Sequence, residues 1–275
     1  MPNSHYVLLD NVLQPAVAAR IPALSEGFLY GHGVFETIKV RGAHPAFLAD
    51  HHARLTASAH ALDLPYALDL GSLRDRLQRV IVANHLNDGS AKVVLFHNET
   101  APTSELICTR EKLYPSETYS RGFRLRTVFG GDRTGSLSDH KTLNYLVNIR
   151  AKRAAVAAGF DEPLFITPAG IVIEGATTNV FVVRGGVALT PALTCGPLPG
   201  TARARVLTLL GPDRVREGLL THGELEHADE IFVTNALLGI MPVSRCDDRS
   251  LDLNRTPFTQ ALSTAYRSLE STSLS

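Results

Sequence analysis

The chain has 275 residues, 44% of them hydrophobic and 20% charged, an ordinary globular composition that argues against a disordered chain. Lys+Arg and Asp+Glu balance at 27 each, so the basic excess of a nucleic-acid-binding protein is missing. Three cysteines (Cys108, Cys195, Cys246) without CxxC spacing argue against a disulfide framework or a structural zinc, and fit a reducing cytoplasm.

The pattern predicts a short strand at Tyr6–Leu9 and another at Val34–Val40, with Gly42 and Pro45 turning the chain before Ala46-Phe47-Leu48. Asp50 is expected to cap a helix that spaces Leu55, Ala59 and Leu62 along one face. A second helix is expected from Leu73 to Leu86, then strands over 91–96 and 105–109. Tyr114 to Thr118 breaks the pattern and serves as the expected linker. Beyond it come a strand at 123–129, a polar loop over 130–140, a helix from Leu143 to Ala158 closed by Gly159, and a hairpin around Pro168-Ala169-Gly170. Strands at 179–183 and 187–190, a helix after LPGTAR and an apolar strand at 230–234 follow. Two α/β domains are expected, a small one over 1–118 and a larger one over 119–275. The opening Met1–Tyr6 lacks the plan of a secretory signal, and no apolar run reaches the ~20 residues of a membrane span, so a soluble cytoplasmic protein is expected.

Only five residues are lysine: Lys39, Lys92, Lys112, Lys141 and Lys152. Lys141 leaves the polar loop at the mouth of a helix, where a partly desolvated amine can form a Schiff base. Taken alone it equally fits a solvated surface lysine. Glu174 ends an apolar run, where a buried carboxylate needs a cationic partner such as a protonated pyridine nitrogen, although a strand-end glutamate facing water has the same sequence. Leu198-Pro199-Gly200-Thr201-Ala202 opens a helix whose first N–H groups favour an anion, and Thr234-Asn235-Ala236 repeats that construction after a strand. Arg54 could add a bidentate charge to the same phosphate. Amine, ring-nitrogen partner, phosphate cups and arginine together make the parts list of pyridoxal 5′-phosphate catalysis.

The segments YGHGVFETIKV (30–40), HHARL (51–55), KTLNYLVNIRAK (141–152), IEGATTNVFVV (173–183), LPGTAR (198–203) and VTNALLGIMPV (233–243) resemble, in order, those of class-IV aminotransferases, the fold-type IV pyridoxal-phosphate enzymes. The resemblance implies a D-amino-acid-aminotransferase-like two-domain fold, a homodimer, and a small-molecule amino substrate with no nucleic-acid, membrane or metal partner. It implies that Lys141 forms the Schiff base and shuttles the substrate proton, and that Glu174 pairs with the pyridine nitrogen. Arg54, Thr201, Ala202 and Ala236 would lie around the phosphate, the last three mainly through backbone amides, with Leu198 and Asn235 also binding the cofactor; Tyr145 would meet the ring hydroxyl, although its spacing from Lys141 is one residue short of the branched-chain pattern. Tyr30, Phe35, Lys39 and His97 are the expected substrate contacts, with Thr37 on the reacting side. His97 stands at the strand end where many relatives carry a substrate-binding arginine, and Gly31-His32-Gly33 stands where several have Gly-Asp-Gly.

GVFET and TNALLGIMPV resemble 4-amino-4-deoxychorismate lyases, which act in folate biosynthesis. Lys39 and IEGATTNVF resemble the D-amino-acid transaminases. Transamination of D-amino acids, branched-chain amino acids or (R)-amines stays open beside the lyase reading, as does a binding protein without turnover.

Overall fold

The computed structural model describes residues 5–99, 101–130, 137 and 139–274. The chain divides into two compact units: Met1–Leu113 with His140–Asn144 and Glu270–Ser275, and Tyr114–Asp139 with Tyr145–Leu269. The polar loop expected over 130–140 lies largely outside the described residues. Among the described residues, no helix is long and apolar enough to cross a membrane.

In the first unit, β1 (Tyr6–Leu9), β2 (Val12–Pro15), β3 (Gly33–Arg41), β4 (His44–Pro45), β5 (Gly89–Asn98) and β6 (Ala101–Arg110) form an antiparallel sheet in the order β2-β1-β6-β5-β3-β4. α1 (Glu26–Leu29) is a single turn before β3. α2 (Leu48–Ala61) and α3 (Leu70–Ala83) bury Leu55 and Ala59, and Leu73, Leu77, Val80 and Ile81, in a core shared with Val34, Ile38, Val40, Ala91, Val93 and Leu95. Alternation along β3 therefore commits even-numbered residues to the helices and leaves Phe35, Thr37 and Lys39 on the other face.

Both helices begin earlier than the sequence predicts. Phe47 turns the chain with φ +51, so α2 starts at Leu48 and Asp50 lies inside its first turn instead of capping it. Asp69 accepts from the backbone N–H of Ser72 at 2.9 Å, which starts α3 at Leu70 and not Leu73.

In the second unit, β7 (Phe123–Phe129), β8 (Glu162–Ile166), β9 (Val172–Gly175), β10 (Asn179–Arg184), β11 (Val187–Pro191), β12 (Val215–Gly218), β13 (Glu230–Asn235) and β14 (Gly239–Cys246) make a mixed sheet in the order β12-β11-β10-β13-β14-β7-β8-β9, with β15 (Arg249–Ser250) beside β14. Phe123, Leu125, Leu164, Ile166, Val172, Val180, Ile231 and Val233 are buried in one cluster. α4 (Ser116–Arg121) begins inside the expected linker. α5 (Leu146–Ala157) begins three residues later than predicted, because Leu143 N–H donates to the carbonyl of Gly33 in the first unit's sheet instead of opening a helix. α6 (Thr201–Leu210), α7 (His222–Glu226) and α8 (Pro257–Thr272) complete the chain.

Candidate active site

The first unit holds Lys141 against the edge of β3. Phe35 N–H donates to the Lys141 carbonyl at 2.8 Å, and Thr142 pairs with Val34 in an isolated bridge. Lys141 thus lies in an extended segment five residues before α5; its backbone is anchored by the sheet and not by a helix mouth. Its Nζ stands 4.5 Å from the centroid of the Phe35 ring, and the Nζ of Lys92 stands 4.0 Å from the same centroid. Lys92 is directly opposite Thr37 in the β3–β5 register, so Phe35, Thr37, Lys92 and Lys141 gather at one sheet face. Burial pushes the Lys92 ammonium below the ordinary lysine pKa. Nothing in the one-dimensional pattern singles out Lys92; the strand register reveals it.

Lys39 shares that face and is paired within the protein. Its Nζ donates to both carboxylate oxygens of Glu270 at 2.9 and 2.8 Å, and both side chains are 9% exposed. The side chain expected to contact substrate therefore has an internal partner in Glu270.

Arg54 lies on the helix side of the sheet. Its Nε and one terminal nitrogen donate to the two oxygens of Glu36 at 2.6 and 2.7 Å, and His51 Nδ1 donates to the same carboxylate at 2.7 Å. Burial raises the Glu36 carboxyl, but Arg54 and His51 outweigh it and hold its pKa at about 2. The fork geometry fixes the orientation of the guanidinium. Tyr30 is exposed, and His97 lies beside Glu26 and His32.

The second unit carries the buried carboxylate. Glu174 on β9 is 5% exposed, and its Oε2 accepts from Leu198 N–H at 3.0 Å and from the Asn179 amide at 3.1 Å. The Asn179 amide also donates to the Leu198 carbonyl at 2.9 Å, locking the strand end to the loop before α6. Gly200 approaches Asn179 so closely that a Cβ would overlap its Oδ1. α6 starts at Thr201 with no side-chain cap, and its first internal bond runs from Ala204 to the Gly200 carbonyl. The N–H groups of Thr201, Ala202 and Arg203 therefore precede the intrahelical ladder, an arrangement suited to a phosphate. These residues fit a phosphorylated pyridine: an anion cup at one helix start, and a buried carboxylate tied by Leu198 to the loop leading into it.

The second expected cup differs from the prediction. Asn235 Oδ1 accepts from the N–H groups of Leu237 and Leu238 at 2.9 and 2.8 Å, which closes a tight turn between β13 and β14, with Gly239 at φ +64. Residues 236–238 are a hairpin turn and not a helix start. The Tyr145 hydroxyl donates to the Ala176 carbonyl at 2.7 Å, alongside the Asn148 amide.

A family model described as amino-transferase class IV matches residues 33–246. The chain belongs to that family. Class IV aminotransferases are pyridoxal-phosphate enzymes, and the chain is an enzyme of that type. It is 29% identical over 250 residues to a putative branched-chain-amino-acid aminotransferase of Methanocaldococcus jannaschii, covering 85% of each chain. It is 29% identical over 272 residues to the aminodeoxychorismate lyase of Bacillus subtilis, covering 94% of this chain and 89% of the relative. The crystal structure of the branched-chain aminotransferase from Thermoproteus uzoniensis with norvaline superposes with a TM-score of 0.85 at 29% identity, covering 96% of this chain and 94% of that one.

Proposed function

We propose that this class IV aminotransferase-family enzyme is a 4-amino-4-deoxychorismate lyase, releasing 4-aminobenzoate and pyruvate in folate biosynthesis. The observation that carries the reading is the cross-strand pair Thr37–Lys92 on the face shared with Phe35 and Lys141. The substrate bears two carboxylates and an amine, and splits into two products whose atoms sum to its own, so neither oxidant nor amino acceptor is needed. Such a reaction requires a base for the ring proton, a donor for the departing enolpyruvyl group and a cation for a carboxylate. Lys141 Nζ is assigned the first role, Thr37 Oγ1 the second and Lys92 Nζ the third.

Pyridoxal phosphate, when bound, supplies an electron sink next to the substrate amine. Glu174 would hold the ring nitrogen protonated, while Leu198 and Asn179 orient the carboxylate. Thr201 and Ala202 would receive the phosphate through backbone N–H groups, joined by Arg54 as Glu36 presents it. Asn235 and Ala236 would border it from the β13–β14 turn, and Tyr145 would approach the ring. Tyr30 and His97 complete the proposed substrate contacts.

Transamination is the second reading, favoured by the equal identity to the Methanocaldococcus jannaschii relative. The link to D-amino-acid enzymes through Lys39 loses its force, because Glu270 occupies that ammonium. A product assay decides. Pyruvate plus 4-aminobenzoate from aminodeoxychorismate supports the lyase, whereas a new amino acid formed only with 2-oxoglutarate and a branched-chain or D-amino donor replaces it. The reading carries a homodimer with it, which light scattering of the purified enzyme checks.

A further inference from the structure

At the start of β3 and the end of β5, the first unit brings two histidines and a glutamate to one point. Backbone bonds fix the arrangement: His32 N–H donates to the Glu26 carbonyl at 3.2 Å, and His97 N–H donates to the His32 carbonyl at 2.9 Å. Gly31 is held at φ +69 and a Cβ there would meet the Asn144 Oδ1 at 2.6 Å, so the turn presenting His32 requires glycine. The two imidazoles stack with centroids 5.1 Å apart and planes 3° from parallel.

The hydrogen-bonding chemistry of His32 is restrictive. Its Nε2 lies 2.8 Å from the Leu62 carbonyl, which can only accept, so Nε2 carries a hydrogen. In the neutral ring Nδ1 then presents a lone pair, and it faces Glu26 Oε2, another acceptor, at 2.8 Å. Two lone pairs at that separation require a proton or a metal cation to hold them together. His97 Nδ1 lies 3.5 Å from the same Oε2, is shielded from solvent, and has no hydrogen-bond partner. The three atoms lie within 4.8 Å of one another.

We propose that Glu26 Oε2, His32 Nδ1 and His97 Nδ1 form a binding site for a divalent cation of the zinc class. Bond lengths of about 2.0–2.2 Å to imidazole nitrogen and carboxylate oxygen put tetrahedral ligands roughly 3.3–3.6 Å apart, and Glu26 Oε2 lies 2.8 Å from His32 Nδ1 and 3.5 Å from His97 Nδ1, close to that spacing. The Leu62 carbonyl fixes the His32 tautomer as the outer partner of a metal-binding histidine does. Side-chain exposures of 45% for Glu26, 29% for His32 and 30% for His97 put the cluster partly open to solvent. The cysteine spacing that argues against structural zinc does not bear on this site, which uses no thiolate. Bound there, the ion would tie the α1 turn to the ends of β3 and β5.

The test uses untagged holoenzyme stripped with a chelator and titrated with Zn²⁺ alone, then with Co²⁺ as a spectroscopic probe. One equivalent of Zn²⁺ is expected to bind, with visible Co²⁺ absorption showing imidazole ligation. His32→Ala and His97→Ala should each weaken binding by roughly tenfold or more, the range found even for outer partners of a metal site. Glu26→Gln, which keeps the shape of the turn, should also weaken it, so the conclusion does not depend on a histidine variant folding. Wild-type protein that takes up no Zn²⁺, or variants that bind it as tightly as wild type, would overturn the site and leave a protonated His32 paired with Glu26.

Discussion

Lys39 and Glu270 stand 231 positions apart in the chain and form a doubly hydrogen-bonded ion pair, buried to 9% exposure on each side chain. The pair ties β3 to the C-terminal segment within the first unit. Removing one member strands a buried charge, which costs about 3–5 kcal/mol. Lys39→Met should therefore lower the denaturation midpoint sharply while the KM of folded enzyme stays near wild type. Lys39→Met combined with Glu270→Leu should recover much of the loss. A large KM increase in the stable double variant would restore Lys39 to the substrate.

Lys141→Ala should abolish turnover and the visible absorption of bound cofactor, because covalent attachment needs that amine. The far-ultraviolet spectrum should be unchanged. Near-wild-type turnover would remove Lys141 from its assigned role.

Glu174→Gln should keep the cofactor bound and slow the reaction, since a neutral amide cannot hold a ring nitrogen protonated. Loss of one preorganised electrostatic contact of this type raises a barrier by about 2.7–4 kcal/mol. Asn179→Ala should give a smaller drop in kcat by freeing the carboxylate that it and Leu198 orient.

Lys92→Met should raise KM roughly tenfold or more at full cofactor occupancy, as expected when a charge-assisted contact to substrate is lost. Burial lowers the pKa of Lys92, so the ammonium discharges earlier than an ordinary lysine as pH rises. KM of the wild type should climb on the alkaline side, and Lys92→Arg should delay that climb. For folding the sign is opposite: the unfolded chain binds more protons in that window, so the Lys92 contribution to stability rises with pH.

The Glu36 carboxyl titrates at about 2 in the folded protein against an ordinary 4.5. Between those values the unfolded chain binds more protons, so the stability supplied by the Arg54–Glu36–His51 cluster is present above the upper value and lost as pH falls toward the lower one. Acid denaturation of Glu36→Gln should be flatter than wild type across that window, though starting from a less stable protein. Parallel profiles would show that Glu36 does not control the acid limb.

The sequence by itself determined the family and most strands, because ordered motifs and period-two alternation are local properties that the residues carry wherever the chain folds. The structure places Phe35, Thr37 and Lys39 on one face of β3. Which of those side chains remains open to a ligand was decided only by tertiary contacts. Glu270 claims Lys39, the β5 register brings in Lys92, and the β3 edge holds Leu143 out of the helix that its local propensity favours. The turn at residues 236–238 follows the same logic: its sequence reads equally as a helix start, and the antiparallel pairing of β13 with β14 selects the hairpin. A polar side chain advertises a charge or a donor in one dimension, but its partner is fixed by packing between residues tens to hundreds of positions apart.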